Sequence, residues 1–122
     1  MSSTANRPLS AEERELALWM LEHGSPEAHS FISQLELAEV TPWRCQCGCA
    51  SINLQLKGHL ETPGGVHILG DFCFGRGDNL AGIFIFSSDG LLKGIEVYGL
   101  AADAPKVLPN PGSLRPLSRA NF

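Results

Sequence analysis

An Asp-Gly dipeptide at positions 89–90 separates two segments of alternating apolar residues, 81–88 and 91–98. Between alternating segments, this dipeptide is the strongest short-range indication of a two-residue β-hairpin turn. Because such a turn fixes which residues pair, the sequence predicts an antiparallel hairpin in which Ile83 lies opposite Glu96. The second half of the chain is therefore expected to form a β-sheet.

A Pro-Gly-Gly sequence at positions 63–65 predicts a second hairpin, here with a three-residue loop. Apolar and polar residues alternate in segment 51–60 before it, and the alternation resumes in segment 66–74. In the register that this loop sets, Lys57 faces Asp71, and opposite charges across two strands favour that pairing. The two segments are therefore predicted to be neighbours in the sheet.

Two amphipathic helices are predicted before residue 40. The sequence Ser-Ala-Glu-Glu at positions 10–13 is a capping box, which begins a helix by satisfying its first amide groups. Gly24 is expected to end this helix, and Ser-Pro at positions 25–26 begins the second one. The apolar stripes at helical spacing are Leu16, Trp19, Met20 and His23 in the first helix, and Ala28, Phe31, Ile32 and Leu35 in the second.

This order of elements predicts the α+β class, with two N-terminal helices packed on one face of a four- to five-stranded antiparallel meander. Residues 1–9 are expected to form a flexible tail. Residues 10–122 are expected to form a single domain, in agreement with a length of 122 residues.

The sheet face away from the helices is predicted to be unusually apolar. An uncovered apolar patch of this kind indicates an interface, so homodimerisation or docking of another protein is expected. The alternative is that a terminal segment of the chain covers the patch. The residues predicted to form this interface are Leu69, Ile83, Ile85, Leu92, Glu96 and Tyr98.

Three of the four cysteines lie within five residues, in the sequence Cys-Gln-Cys-Gly-Cys. Three thiols and a glycine that allows a turn suit a soft metal, either zinc or an iron–sulfur cluster. The usual zinc spacing, Cys-x2-Cys, is absent, and buried or idle thiols are the alternative interpretation. The candidate ligands are Cys45, Cys47 and Cys49, completed by Cys73 or, in its place, by His59 or His67.

Charge and hydropathy argue against several classes of function. Nine basic and 13 acidic residues give a net charge of −4 without a basic cluster, so nucleic-acid binding is not expected. No apolar run approaches the ~20 residues that span a bilayer, and no secretory signal is visible, so a cytoplasmic location is expected. Neither a hydrolase elbow nor a phosphate-binding loop occurs, and an enzyme is not expected.

Three stretches of the sequence carry a family resemblance. They are Cys-x-Cys-Gly-Cys-x-Ser leading into a strand at 45–52, the strand-Asp-Gly-strand unit ending in Ile-Glu-Val-Tyr at 84–98, and the proline-rich segment 108–116. Together they resemble a family of small uncharacterised bacterial proteins. The resemblance implies no activity. The predicted architecture is similar to that of immunity proteins that neutralise toxins, which favours a non-enzymatic protein-interaction module.

Overall fold

The computed structural model describes residues 5–60, 65–101 and 103–116. Two longer helices and a seven-stranded antiparallel sheet form the described part, which confirms the α+β class. The first helix is α1 (Ala11–Glu22), and the second is a 3₁₀ helix over Pro26–Glu36. The strands are β1 (Arg7–Pro8), β2 (Ala38–Val40), β3 (Ile52–Leu56), β4 (His67–Phe74), β5 (Ala81–Ser88), β6 (Leu91–Gly99) and β7 (Arg115–Pro116).

The capping box begins α1 as predicted. The Ser10 hydroxyl accepts the Glu13 backbone N–H at 3.1 Å, and the Glu13 carboxylate accepts the Ser10 N–H at 2.8 Å. After the helix, Gly24 allows a close backbone approach, because a Cβ there would lie 2.3 Å from the Leu69 carbonyl oxygen. Among the described residues, no helix is both long enough and apolar enough to cross a bilayer.

The sheet order is β1-β2-β3-β6-β5-β4-β7, so the prediction of four or five strands was too low. A short strand near residues 37–40 is the fifth of the predicted strands and is present as β2. The additional strands are β1 and β7, of two residues each, at the two edges of the sheet. Strands this short carry too little alternation to be visible in a sequence. Within the segment predicted as a tail, Arg7 and Pro8 pair with β2.

The predicted hairpin between β3 and β4 is wrong. Strand β3 pairs with β2 on one side and β6 on the other, whereas β4 lies between β5 and β7. The Lys57 N–H donates to the Leu37 carbonyl at 2.8 Å, and Asp71 lies opposite Phe84. Both edges of β3 are thus occupied, one by β2 and the other by β6, about forty residues away, so the local turn signal does not decide the pairing. Part of the predicted loop, residues 61–64, lies outside the described residues.

The hairpin between β5 and β6 is confirmed, but its register is wrong beyond the first two pairs. Asp89 and Gly90 both have positive φ angles, 53° and 79°, as a type I′ turn requires. A bulge after Ser87 then shifts the pairing by one residue, so Ile83 lies opposite Val97 and not opposite Glu96. Because side chains alternate between faces, one extra residue moves those beyond it to the other face.

This shift reverses the predicted face for β5, and a second irregularity, between Ile68 and Gly70 on β4, accompanies the error at Leu69. The interface prediction placed Leu69, Ile83, Ile85 and Leu92 on an outer face, but these side chains are at most 2% exposed. They belong to the hydrophobic core between the helices and the sheet. Burying one such side chain contributes roughly 1.5–3 kcal/mol to the free energy of folding, so these residues hold the sheet against α1 and the 3₁₀ helix.

The opposite face of the sheet carries aromatic rings. Phe84, Phe86 and Tyr98 are half-buried there, and their ring centroids are 5.5 Å (Phe84–Phe86) and 6.0 Å (Phe84–Tyr98) apart. The Tyr98 ring covers Gly82, where an added Cβ would lie 2.1 Å from Tyr98 Cζ. Its hydroxyl donates to Asp71 at 3.3 Å. We call Phe84, Phe86 and Tyr98 the aromatic face.

Candidate metal centre

The three clustered cysteines lie in the loop between β2 and β3, where a tight turn brings them together. The Gly48 N–H donates to the Cys45 carbonyl at 3.0 Å, closing a four-residue turn. Gly48 has a φ of +81°, a conformation that favours glycine. The residue type at this position is therefore what allows the chain to reverse between the second and the third cysteine.

The turn places three sulfur atoms within reach of a single ion. Cys45 Sγ and Cys47 Sγ are 2.7 Å apart, and the sulfurs of Cys45, Cys47 and Cys49 all lie within 4.8 Å of one another. In a tetrahedral zinc site the Zn–S distance is about 2.3 Å, which sets the S···S distance at about 3.8 Å. Small side-chain rotations suffice to bring this cluster to that spacing. We call these three residues the cysteine cluster.

Strand β6 and the segment after it hold the third cysteine in place. The Ser51 hydroxyl accepts the Val97 N–H at 3.0 Å, and the Ala50 N–H donates to the Pro105 carbonyl at 2.9 Å. Cys49 Sγ lies 3.2 Å from the same Ser51 hydroxyl. The end of the loop that enters β3 is thus fixed by two distant parts of the chain.

The thiols of the cluster differ in acidity. Burial raises the pKa of Cys49, but hydrogen bonds with Ser51 and with the neighbouring thiols outweigh this effect and lower the pKa to about 7. Hydrogen bonds with Cys45 and Cys49 raise the pKa of Cys47 to about 11. Cys49, the cysteine that is anchored by Ser51, is therefore more acidic than Cys47.

The predicted fourth ligands do not join the cluster. Cys73 lies on β4, three strand positions from β3, which corresponds to roughly 14 Å at about 4.8 Å per strand. Its Sγ is buried and lies 3.9 Å from the Pro116 carbonyl. His67 Nε2 is 2.7 Å from a Glu27 carboxylate oxygen, and His59 lies exposed beyond the far end of β3. Among the described residues, only three metal-ligating side chains come together here.

A cavity of about 730 Å³ opens beside the cysteine cluster. Cys45 and Cys49 line it, while Cys47 is exposed outside the lining. Two cations, Arg44 and Lys106, also line the cavity, and Lys106 Nζ lies 3.3 Å from where a Cβ on Gly48 would be. This arrangement could not be predicted from the sequence, because Lys106 follows the cluster by more than fifty residues and belongs to no motif.

Acidic residues from the first turns of α1 also line the cavity. They are Glu12, Glu13 and Glu15. Arg7 binds the Glu13 carboxylate with two nitrogens, each 2.9 Å from an oxygen, so this pair is internally neutralised. The cavity therefore combines acidic side chains of α1 with two cations, of which Lys106 lies beside Gly48 and Arg44 directly precedes Cys45.

Of the six residues predicted to form an interface, two lie on the face opposite the helices. Glu96 is exposed there, opposite Phe84 on the neighbouring strand, and Tyr98 is half-buried as part of the aromatic face. Phe84 and Phe86 were missed, because the predicted register placed them on the core side. The bulge that exchanges the two faces has no marker in the sequence.

Comparisons with known proteins assign no function to this site. No protein-family model matches the chain, and neither a curated protein nor a solved structure matches it.

Proposed function

We propose that the protein binds one zinc ion through Cys45, Cys47 and Cys49. The observation that carries this proposal is the convergence of three sulfur atoms, all within 4.8 Å of one another, on one glycine-dependent turn. Cys49 packs partly against the core, but Cys45 and Cys47 do not belong to the core cluster, so packing does not account for three thiols in this turn. Thiolate sulfur is a preferred ligand of zinc, and three protein ligands are sufficient to hold the ion.

Zinc fits this ligand set better than an iron–sulfur cluster does. Iron–sulfur clusters are usually held by four cysteines, and the fourth cysteine of this chain, Cys73, lies buried on β4 away from the loop. Zinc accepts a ligand from outside the protein in its fourth position. Three thiols are therefore enough to hold a zinc ion that takes an outside ligand in its fourth position, but they are one too few for an iron–sulfur cluster.

The charges around the loop favour a site with net negative charge. Three thiolates and Zn²⁺ together carry one negative charge, and each thiol gives up its proton when it binds the ion. Arg44 directly precedes the first cysteine, and Lys106 lies next to Gly48. Both cations favour the loss of the thiol protons and the net negative charge that the loaded site carries.

The proposal is tested by metal content and by substituting single cysteines. Reduced protein is loaded with Zn²⁺, desalted and analysed for zinc and for free thiols. We expect one zinc per chain and three protected thiols, with a large loss of zinc in Cys45→Ser, Cys47→Ser and Cys49→Ser. The Cys73→Ser variant is the matched control and should retain the ion. Free reaction of Cys45, Cys47 and Cys49 after loading would refute the proposal, whereas the buried Cys73 reacts slowly with or without zinc.

A second candidate function is association with another protein, for which we propose a second copy of this chain as the partner. It is supported by the aromatic face, on which Phe84, Phe86 and Tyr98 stay partly exposed on the side of the sheet away from the helical core residues. Aromatic side chains supply much of the affinity at protein interfaces. Glu96 lies among them and is exposed.

Light scattering after size exclusion tests this candidate. We expect a dimer that the Phe84→Glu variant converts to a monomer, while Leu60→Glu, which changes an exposed side chain at the far end of β3, leaves it dimeric. A wild-type monomer at high micromolar concentration would exclude self-association.

We also propose that the protein acts in a reducing compartment, as a cytoplasmic protein does. Zinc binding requires reduced thiols, and in the described structure the four cysteines form no disulfide. Thiol labelling in intact cells would test this, with full labelling after metal chelation as the expected result.

A further inference from the structure

A zinc ion held by three thiolates has a fourth coordination position without a protein ligand. The cavity beside the cysteine cluster gives an outside ligand access to that position. Three ligands from one short loop approach the ion from one side, which leaves its fourth position open. Because Cys45 and Cys49 line the cavity and Cys47 does not, the cavity lies along one side of the cluster. Its volume of about 730 Å³ is in the range of small-molecule sites.

Protein carboxylates of the described chain do not fill this position. Glu13 is held by Arg7 at 2.9 Å, and Glu12 and Glu15 line the cavity without lying within ligand distance of the three sulfurs. A ligand from outside is therefore needed, and the cavity determines which chemistry it accepts.

The cations nearest the cluster select for negative charge. Arg44 and Lys106 both line the cavity at its sulfur end, and no ion pair joins either of them to an acidic residue in the described part of the chain. An anionic group that enters the cavity meets two uncompensated positive charges and the metal ion in one place. A neutral or cationic group does not gain this attraction.

We infer that the fourth position of the metal is the binding site of a small anionic molecule that ligates the metal, held in the cavity by Lys106 and Arg44. This inference rests on the proposed zinc site. The ligand class is a small organic acid that carries a thiol, in which the sulfur binds the ion and the carboxylate binds the two cations. Binding forms a metal–sulfur bond, displaces water and releases the thiol proton to solvent.

The experiment uses the full chain loaded with Co²⁺, whose absorption spectrum reports its ligands. Three thiols of similar size and different charge are titrated anaerobically: thioglycolate (anionic), 2-mercaptoethanol (neutral) and cysteamine (cationic). We expect thioglycolate to change the cobalt spectrum at concentrations about tenfold lower than 2-mercaptoethanol, and cysteamine to bind more weakly than either.

Substituting the cations separates charge selection from simple access to the metal. In Lys106→Ala and Arg44→Ala the preference for thioglycolate over 2-mercaptoethanol should fall by about threefold each. Lys57→Ala is the matched control, because this exposed lysine lies beyond the other end of β3. The control should keep the full preference.

The outcomes distinguish the inference from the proposal beneath it. If Co²⁺ does not bind with sulfur-to-metal charge-transfer bands, the metal site itself is refuted. If Co²⁺ binds but no thiol alters its spectrum, the metal site stands and the open position is refuted. If all three thiols bind equally, or if Lys106→Ala keeps the full preference, the assignment of an anionic ligand is overturned.

Discussion

The Ser51 hydroxyl bridges both backbone groups of Val97, accepting its N–H at 3.0 Å and lying 3.5 Å from its carbonyl oxygen. This side chain extends the pairing of β3 with β6 by one position toward the cysteine cluster. Both residues are buried, so water does not replace these hydrogen bonds. Ser51 therefore couples the candidate metal site to the centre of the sheet.

Removing this hydroxyl is expected to destabilise the fold. In Ser51→Ala the Val97 N–H loses its partner in a buried position, which costs about 1–3 kcal/mol. Urea unfolding measures the loss. Ser113→Ala removes an exposed hydroxyl that donates to the Asn110 carbonyl and serves as the control, with an expected change below ~0.5 kcal/mol. Equal stability of the two variants would contradict the role given to Ser51.

The cysteines of the metal-free protein should react at different pH values. Because the pKa of Cys49 is lowered to about 7 and that of Cys47 is raised to about 11, alkylation of Cys49 should rise through neutral pH while Cys47 stays mostly unreactive. Iodoacetamide labelling followed by peptide mass spectrometry measures both rates. In Ser51→Ala the Cys49 profile should move to higher pH. Identical profiles for the two thiols would contradict the hydrogen-bond pattern of the loop.

Gly82 should not tolerate a side chain. An added Cβ would lie 2.1 Å from Tyr98 Cζ, so Gly82→Ala must displace the ring and is expected to cost about 1–3 kcal/mol. The double variant Gly82→Ala/Tyr98→Ala should show less than the sum of the single losses, because the clash is gone. Gly112→Ala, where nothing lies within 4 Å, is the control. Additive losses would mean that the ring does not rest on Gly82.

Acid should weaken the start of α1. The hydrogen bond with Arg7 lowers the pKa of Glu13, although burial partly opposes it. Because the folded-state pKa lies below that of the unfolded chain, the pair stabilises the fold above the unfolded value and loses this effect as the pH falls through the folded value. The contribution is below ~1 kcal/mol, since Arg7 is largely exposed.

Comparing thermal unfolding at neutral and acid pH measures the contribution of the Arg7–Glu13 pair to stability. Glu13→Gln should reduce stability at neutral pH and flatten the loss at acid pH. Glu15→Gln, an exposed change on the same helix, should do neither. A Glu13→Gln variant with the wild-type pH dependence would show that the carboxylate does not act in this way.

Features encoded by neighbouring residues could be predicted, and features that depend on distant partners could not. The capping box of Ser10 and Glu13 and the turn at Asp89 each lie within four residues, so their geometry follows from local chemistry. The sequence also showed the cysteine cluster, because its three members occupy five positions. The pairing partner of β3 depended on β6, about forty residues later, and the nearest turn signal pointed to the wrong strand.

The wrong register of the β5–β6 hairpin came from a single additional residue. The bulge between Phe86 and Ser87 adds one position to β6 and so decides which side of the sheet Ile83 and Tyr98 occupy. No residue type marks the bulge, and its position is set by how both strands pack on the core. The cations of the cavity could not be predicted for a related reason. Lys106 is distant from the cysteines in the sequence and lies beside them only in the folded protein.

The sheet order also determines when the candidate site can form during folding. The ribosome releases the three cysteines well before Val97 and Pro105, the residues that fix the end of their loop. Until β6 has been made and inserted between β3 and β5, that loop has no anchor on this side. Pairings between such distant segments are slow to form, so a nascent chain exposes three thiols before it can hold them in place.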